Sequence, residues 1–313
     1  MLPDNGIIIK LIEMSLHNDR VKRIFICRLF SKLFFLGFFI CTIAAIAYFC
    51  KCQTDGFTVS RISSNLSYDK KWEVLSLAEE KKQELDHILD QSYHYLSKGA
   101  QFFVFVSQDH RYVMKFFRHH RLCSSWWMQQ LPFAWARQHV VKREARLHEH
   151  FMSCKVAYEI LPQETGMIFL HLNKGNDLQK TLRLFDRLGI CHFLPLDQYE
   201  FFVQKKVILT YPYLSQLIDN GELGKAKAAI DKLILFFLTR IKKGVFDKDP
   251  NLDTNFGFVE EEFIQIDTGH FRRLSQEESG RDQIFHILYP LQEWLAVRSS
   301  ELQQYFLRQL ELL

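Results

Sequence analysis

The segment GVFDKDPNLDTNFGFVEEEFIQIDTGHF, residues 244–271, carries oxygen-bearing side chains on both sides of a short alternating pattern. Apolar and polar residues alternate from Phe256 to Asp267 around an acidic turn, and this pattern predicts a β-hairpin. Such a hairpin returns Asp267 to the side of Asn255. Gly269 follows, and a residue without Cβ lets the backbone approach a ligand closely. The segment therefore predicts a site built from a loop, a hairpin and a strand end.

Two side chains of this segment are candidate metal ligands. Amide and carboxylate oxygens suit Mg²⁺, and a bound Mg²⁺ neutralises negative charge on a transferring phosphate. Asn255 and Asp267 are therefore predicted to hold Mg²⁺, with ATP as the nucleotide. An acidic loop and hairpin that bind no ligand would leave the same pattern, and this alternative stays open.

The order of these groups resembles the catalytic core of the protein-kinase-like superfamily, in which an Asp precedes a metal-binding Asn and a DFG-type Asp follows. Asn255 and Asp267 are twelve residues apart, close to the family's gap. The position five residues before Asn255, where the family has its catalytic Asp, holds Pro250. Asp249 lies six residues before Asn255 and Asp247 lies eight before it. The resemblance implies Asp249 as the base if the loop bulges by one residue, and Asp247 if the loop is larger.

Two apolar runs upstream predict a second hairpin, Phe102 to Ser107 and Tyr112 to Phe117, joined by a polar turn. Lys115 lies inside the second run, in the tripeptide VMK, which resembles the family's VAIK. The family's Lys holds the α and β phosphates, so the resemblance implies that Lys115 binds the nucleotide. A lysine at the edge of the sheet with no ligand is the alternative.

The resemblance implies two further groups near the nucleotide. The family often has a glycine-rich loop before this hairpin, and the sequence offers Gly99 there. The family's Lys also pairs with a Glu on the next helix, which is predicted here from Gln138 to Phe151. Glu144 is the predicted partner, because it precedes the apolar side of that helix. Glu149 competes with it, and both could instead form ion pairs on the helix surface.

An insertion of aromatic and basic residues, RHHRLCSSWWMQQLPFAWAR, separates Lys115 from this helix. Trp and Arg combine apolar area with attraction to lipid head groups, so the stretch suits a membrane surface. Packing of Trp126, Trp127 and Trp135 into a kinase-like small lobe is the alternative. Composition alone does not separate the two.

The remaining segments continue the order of elements that the resemblance implies. The sequence predicts a strand from Met167 to Leu172, a helix from Leu178 to Gly189, and a hairpin from Glu200 to Pro212. That hairpin ends where the family's hinge would meet an adenine. A long amphipathic helix is predicted from Lys225 to Lys243, and Gly244 stops it.

The predicted fold class is α+β: a two-lobed protein-kinase-like domain, with a small β-rich lobe and a mainly helical large lobe, behind one N-terminal transmembrane helix. Only 46 residues follow Asp267, and no Ala-Pro-Glu motif is present. The resemblance is therefore to a divergent member, nearer to small-molecule and lipopolysaccharide-core kinases than to conventional protein kinases. The predicted organisation is a basic N-terminal segment (1–23), a transmembrane anchor (24–50), a linker (51–74), a small lobe with the aromatic and basic insertion (75–210), and a reduced large lobe with catalytic-loop-like and DxG-like motifs (211–313).

The core of the anchor runs from Leu33 to Cys50, eighteen residues without a charge, which is long enough to cross a bilayer. A signal peptide is the alternative, but the run exceeds a typical h-region, and Cys50-Lys51-Cys52 is not a small-residue cleavage site. Lys and Arg are more frequent before the anchor than just after it. The positive-inside rule therefore predicts a single-pass protein with a cytosolic N-terminus.

Charge and cysteine content disagree about the side of the membrane that holds the domain. A cytosolic N-terminus puts the domain on the far side, where a kinase needs another nucleotide-containing compartment, such as a host cytosol reached by an exported protein. In contrast, Cys123, Cys154 and Cys191 form no evident disulfide framework, which favours a reducing compartment. The side of the main domain stays open.

These observations predict a membrane-anchored, Mg-ATP-dependent phosphotransferase that moves the γ-phosphoryl group of ATP to a hydroxyl of a small molecule, lipid or glycolipid. Its partners would be the nucleotide, the membrane, and an unknown hydroxyl-bearing acceptor or protein. The alternative is a catalytically inactive, pseudokinase-like binding or scaffold protein tethered to a membrane, because the predicted base is out of register. A net charge of +4 is too small to indicate nucleic-acid binding.

Overall fold

The structure, a computed structural model, describes residues 31–74, 79–247, 250–269, 271–273 and 280–312. The chain forms two compact units that divide after Gly56. In the first unit, helix α1 spans Ser31–Gln53, and its 23 residues make it long and apolar enough to cross a membrane. The predicted N-terminal apolar helix is thus confirmed, while residues 24–30 of the predicted anchor lie outside the described residues.

The second unit contains a mixed sheet of seven strands. Its strands are β1 (Ser92–Lys98), β2 (Phe102–Ser107), β3 (Tyr112–Phe117), β4 (Met167–His171), β5 (Thr181–Phe185), β6 (Cys191–Pro195) and β7 (Phe201–Lys205). Their order in the sheet is β4-β7-β3-β2-β1-β5-β6. Neighbours are antiparallel except β1 and β5, which are parallel. The predicted hairpin of β2 and β3 is confirmed, with Val104 opposite Lys115.

Both faces of the central strands β2, β3 and β7 are buried, and successive side chains of a strand point to opposite sides. Phe103 belongs to one apolar core, and its neighbour Phe102 belongs to another. Helix α6 (Ala134–Glu159) covers the second face, where the rings of Phe151 and Phe117 lie 4.8 Å apart. Burial on both sides explains why β2 and β3 read as nearly continuous apolar runs rather than as alternating ones.

Short helices surround the sheet. They are α2 (Val59–Ile62), α3 (Glu79–Leu89), α4 (His119–Leu122), α5 (Trp126–Gln130) and α7 (Pro162–Thr165), with 3₁₀ turns at Lys70–Trp72 and Leu196–Gln198. The helix predicted from Gln138 to Phe151 is confirmed as part of α6, and the strand predicted from Met167 to Leu172 is confirmed as β4.

The helix predicted from Leu178 to Gly189 is wrong, because this segment forms β5 and the turn that leads to β6. Leu182 and Leu184 are buried, while Arg183 between them is exposed, which is the period of two of a strand. The carboxylate of Asp186 then accepts two backbone N–H groups of the turn. The turn residues outweigh the leucines that suggested a helix.

One small sheet and a group of helices build the third apolar core, while a second small sheet places Val245 and Phe271 in the core beneath α6. The helices are α8 (Thr210–Asp219), α9 (Leu223–Lys242), α10 (Gly280–Arg298) and α11 (Ser300–Glu311); the strands are β8 (Ile208–Leu209), β9 (Val245–Asp247), β10 (Phe256–Val259), β11 (Glu262–Gln265) and β12 (Phe271–Arg273). One sheet has the order β11-β10-β8, and the other pairs β12 with β9. Helices and mixed sheets together confirm the predicted α+β class.

The hairpin predicted after Asn255 is confirmed, with Phe256 opposite Gln265. Its turn contains Glu260 and Glu261 at φ values of 48° and 66°. Helix α9 ends as predicted, since Gly244 follows it with a φ of 67°.

The hairpin predicted from Glu200 to Pro212 is wrong, because β7 and β8 lie in different sheets. Strand β8 pairs instead with β10 at Gly257. A Cβ at Gly257 would lie 2.3 Å from the backbone oxygen of Ile208, so this close pairing requires glycine. Helix α8 begins at Thr210, which places Pro212 in the first turn, where its missing N–H needs no partner.

Candidate functional site

Lys115 lies in the interior of the main sheet, because β3 is flanked by β2 and β7. Its side chain is 8% exposed, and the ammonium lies 5.5 Å from the centre of the Phe202 ring. Nζ donates a hydrogen bond of 2.6 Å to the backbone oxygen of Ile266, 151 residues along the chain. The central position excludes an edge lysine, and the hydrogen bond directs the charge to the end of the β10–β11 hairpin.

The peptide of Ile266 joins Lys115 to the predicted metal ligands. Its N–H donates to the backbone oxygen of Asn255 over 2.8 Å, while its own oxygen accepts from Lys115. The side-chain oxygen of Asn255 accepts from Thr254 Oγ1 at 2.9 Å. Asp267 comes directly after Ile266 and is half-buried. The hairpin therefore brings Lys115, Asn255 and Asp267 to one place.

The loop after Asp267 is closed by its own side chain and covered by the β1–β2 turn. Oδ1 of Asp267 accepts the N–H of Gly269 at 3.0 Å. A Cβ at Gly269 would lie 1.8 Å from Oε1 of Gln101, so the glycine lets the turn rest directly on the loop. Gly99 is exposed in the same turn, and its backbone oxygen accepts from the guanidinium of Arg118. The predicted glycine position thus belongs to the turn that lies over Gly269.

Burial shifts the pKa values of two ionisable groups at this site, Lys115 and Cys154. It lowers the pKa of Lys115 to about 8, while Asp267 and the sulfur of Cys154 oppose this shift. Burial also raises the pKa of the Cys154 thiol to about 12, in part against a hydrogen bond with Thr268. At neutral pH the site therefore contains a protonated ammonium beside a neutral thiol.

Helix α6 holds the loop from the opposite side through hydrogen bonds to the loop backbone. Nδ1 of His150 lies 3.1 Å from the backbone oxygen of Gly269. Oγ of Ser153 donates to the backbone oxygen of Thr268 and accepts the N–H of Phe271 at 2.6 Å. His150 is 7% exposed and Ser153 is fully buried. These contacts fix the backbone on both sides of Gly269.

Glu144 does not take part in these contacts. It is exposed, and in the described ranges it forms no ion pair with Lys115. The face of α6 that packs on the loop repeats at intervals of three and four residues, through His150, Ser153 and Cys154. Glu144 and Glu149 were the predicted partners on this helix, and no contact of His150 or Ser153 with the loop was predicted. Polar residues on the buried stripe of a helix were the signal that could have found them.

Asp247, the second candidate base, faces a buried polar network. It is 3% exposed and accepts a hydrogen bond from Nε2 of Gln265. Arg240 donates to Gln265 Oε1 at 2.8 Å, and its Nη1 lies 3.8 Å from the Asp247 carboxylate. Burial lowers the pKa of Arg240 to about 10, although Asp247 opposes the shift. Asp249, the first candidate base, lies outside the described residues.

Two cavities of the described chain lie away from Lys115. One, of about 820 Å³, is lined by residues of α3, α7, β4, α9 and β11. The other, of about 320 Å³, is lined by the β2–β3 turn, β8 and the β10–β11 turn, with Tyr213 of the predicted hinge in its wall. Neither is lined by Lys115, Asn255 or Asp267, so the candidate site is separate from both.

The oxygen ligands at the site suit a hard cation such as Mg²⁺, which also binds phosphate oxygens. Mg²⁺ is commonly held by one or two carboxylates together with substrate phosphates, and an adjacent ammonium adds a contact to the phosphate. Asn255 and Asp267 supply an amide and a carboxylate, although no three His, Cys, Asp or Glu side chains of the described part are grouped to hold a metal.

No known family model matches this sequence, and no curated protein matches it.

Proposed function

We propose that the second unit is a divergent, two-lobed protein-kinase-like domain, nearer to the small-molecule and lipopolysaccharide-core kinases. It transfers the γ-phosphoryl group of ATP to a hydroxyl of a small molecule, lipid or glycolipid. The observation that carries this proposal is the hydrogen bond from Lys115 to the backbone of Ile266, next to Asp267. Lys115 meets the hairpin that carries Asn255 and Asp267, although it is far from both in the sequence, and this supports the proposal.

The elements that carry the predicted motifs also support the proposal. The VAIK-type Lys is expected on the third strand, and Lys115 lies on β3. The long helix α6 comes after Lys115, beyond the short helices α4 and α5, and it packs on the Asp267 loop. The mixed sheet and the helices of α8 to α11 have separate apolar cores, which suits a small and a large lobe.

Each residue then has a role in the transfer. Lys115 contacts the phosphates, and Asn255 with Asp267 holds Mg²⁺, which neutralises charge on the phosphates. The acceptor hydroxyl oxygen forms a bond to the γ-phosphorus, its proton goes to the carboxylate of Asp249, and the bond to the β–γ bridging oxygen breaks to release ADP. The turn with Gly99 and Gln101 rests on the Gly269 loop and would cover phosphates bound there. Asp247 has a supporting role, because it accepts a hydrogen bond from Gln265 at the end of β11.

Thermal unfolding of the full-length protein tests this proposal. Mg-ATP should raise the melting temperature more than ATP alone, because a ligand that binds the native state stabilises it by about 2.7 kcal/mol at a hundred times its Kd. Asp267→Asn should remove the magnesium-dependent part. The matched control is Asp253→Asn, an exposed Asp two residues before Asn255, which should keep it. An equal response in Asp267→Asn would reject Asp267 as a ligand, and no response in the wild type would reject the nucleotide site.

A membrane-tethered, pseudokinase-like scaffold is the second candidate. It is favoured by the buried position of Asp247 and by Pro250 at the family's base position. ADP formation in Asp249→Asn separates the two candidates. An enzyme should lose turnover while it keeps the magnesium-dependent thermal shift, whereas a scaffold shows no turnover in any variant.

We also propose that α1 anchors the protein as a single-pass helix with a cytosolic N-terminus, from its length, its apolar composition and the flanking charges. Protease protection in intact membranes decides the side on which the second unit lies. Digestion of the second unit by a protease added only to the cytosolic side would reject this orientation.

A further inference from the structure

Helix α5 and the start of α6 expose large aromatic side chains. Trp126 is 73% exposed, Trp127 49%, Phe133 53% and Trp135 57%. These four residues are called the aromatic patch below. The rings of Phe133 and Trp135 stack with their centres 6.1 Å apart. None of the five residues of α5 is buried, so its tryptophans contribute little to the cores of the unit.

A patch of this kind indicates an interaction surface. Each aromatic side chain carries about 150–250 Å² of surface, and contiguous exposed apolar patches of a few hundred Å² commonly mark binding sites. Most phenylalanines of the second unit are buried in its cores, among them Phe103, Phe116 and Phe237. The patch departs from this pattern, and its exposure excludes the alternative that the three Trp side chains pack into the small lobe.

The surroundings of the patch are basic. From His110 to Arg143 the sequence has seven Lys or Arg residues and no Asp or Glu. Arg137 and Lys142 are exposed on the first turns of α6. Arg143 instead donates to the backbone oxygens of His120 and Cys123, which holds the turn between α4 and α5. Arg143 thus fixes the turn between α4 and α5, whereas Arg137 and Lys142 expose positive charge on α6.

The linker between α1 and the second unit is short. Three residues separate the end of α1 at Gln53 from Phe57, whose ring packs 5.3 Å from that of Phe103 in the core. Helix α2 follows and contacts α4, the helix that leads into the patch. A short connection of this kind spans on the order of 10 Å. If α1 crosses a bilayer, the second unit stays within reach of the lipid surface.

We propose that the aromatic patch binds the surface of the bilayer that α1 spans. Trp126, Trp127, Phe133 and Trp135 enter the interfacial layer, where Trp side chains are favoured, and Arg137 and Lys142 contact anionic head groups. This rests on the proposed membrane span of α1, and it is independent of nucleotide binding. The bilayer is preferred over a protein partner because residues 118–137, which carry the patch, contain basic side chains and no Asp or Glu, and because the chain itself supplies the tether.

Tryptophan fluorescence tests the proposal in the full-length protein. All five Trp residues lie outside α1, so their emission reports only on the second unit: Trp72, Trp126, Trp127, Trp135 and Trp294. The protein is reconstituted in vesicles whose lipids carry bromine high on the acyl chains, with and without anionic lipid. Wild-type emission should be quenched. The Trp126→Gln, Trp127→Gln, Trp135→Gln triple variant should lose most of this quenching.

Matched variants keep the measurement specific. Trp294→Phe leaves the patch intact and should retain the quenching. Arg137→Gln with Lys142→Gln should reduce quenching in anionic vesicles and leave it unchanged in zwitterionic ones. The substituted patch residues are exposed, so the melting temperature of the triple variant should match that of the wild type.

Three results would overturn the proposal. One is equal quenching in the wild type and the triple variant, and a second is no quenching in the wild type. The third is a blue shift of patch emission in detergent that grows with protein concentration, which would assign the patch to a second copy of the chain. Because the readout needs no ATP, its failure is distinguishable from failure of the proposed kinase activity.

Discussion

Lys115 is a charged side chain at the centre of an apolar sheet, and its burial is unfavourable. Burial lowers the pKa of Lys115 to about 8, which corresponds to a destabilisation of the protonated form by about 3 kcal/mol relative to an ordinary lysine. The hydrogen bond to Ile266 and the attraction of Asp267 offset part of it. Packing alone would favour an apolar residue here, so the lysine is more consistent with ligand binding than with stability.

We expect Lys115→Met to remove nucleotide binding without unfolding the protein. The folded pKa is lowered, so between about pH 8 and pH 10.5 the unfolded state binds more protons than the folded state. Wild-type stability should therefore gain up to about 3 kcal/mol from this group as pH rises through that range. Lys115→Met should lack this gain. Urea unfolding at pH 7.5 and pH 9.5 measures the difference, and the same pH response in both proteins would contradict the assignment.

At the scale of elements, the contact between α6 and the Asp267 loop differs from the pairing that the resemblance implies. A Lys–Glu ion pair was predicted to connect sheet and helix, with Glu144 as the partner. The helix instead contacts the loop through His150 and Ser153, while Glu144 is exposed. Helix and loop are therefore connected by hydrogen bonds between side chains of α6 and the loop backbone, and Lys115 contacts the hairpin directly.

We expect Ser153→Ala to weaken both folding and magnesium-dependent ATP binding. The substitution leaves Thr268 O and the N–H of Phe271 without the Ser153 hydroxyl, which should cost about 1–3 kcal/mol. The matched control is Thr165→Val, which removes a buried hydroxyl bonded to Leu161 O. Both variants should melt at lower temperature. Only Ser153→Ala should reduce the Mg-ATP shift, and an equal loss in both would assign Ser153 to stability alone.

At the scale of the whole molecule, a buried polar network connects the main sheet to the helical part. Gln204 on β7 donates to Gln265 O at 3.2 Å, and Gln265 in turn contacts Arg240 and Asp247. The network therefore includes residues of β7, α9, β9 and β11. A buried guanidinium depends strongly on its partners, because an unpaired charge in the interior is costly.

We expect Asp247→Asn to destabilise the whole second unit. It removes the carboxylate near Arg240 and should lower the free energy of unfolding by about 3 kcal/mol. Because the network joins elements from both parts, the loss should occur in one cooperative transition rather than in a local one. Asp253→Asn, an exposed Asp further along the chain, should leave stability unchanged. If Asp247→Asn were as stable as the wild type, a structural role of Asp247 would be contradicted. Asp247 would then again be a candidate for the catalytic base.

The sequence alone determined features that depend on local patterns. The two hairpins, the central position of Lys115 in an apolar run, the long apolar α1, and the end of α9 at Gly244 all follow from periodicity and turn chemistry. Short-range rules failed where tertiary contacts outweigh them. The leucines of residues 178–189 form a strand added to the main sheet, and β8 leaves that sheet to pair with Gly257.

Only the tertiary structure decided which polar groups meet. Lys115 and Ile266 are 151 residues apart, and no local pattern encodes their hydrogen bond. The choice of His150 and Ser153 over Glu144 follows from the rotation of α6 against the loop, and Asp247 is buried because its strand packs beside Arg240. Periodicity specifies which face of an element is buried, whereas the partner of a buried polar group depends on how separate elements pack.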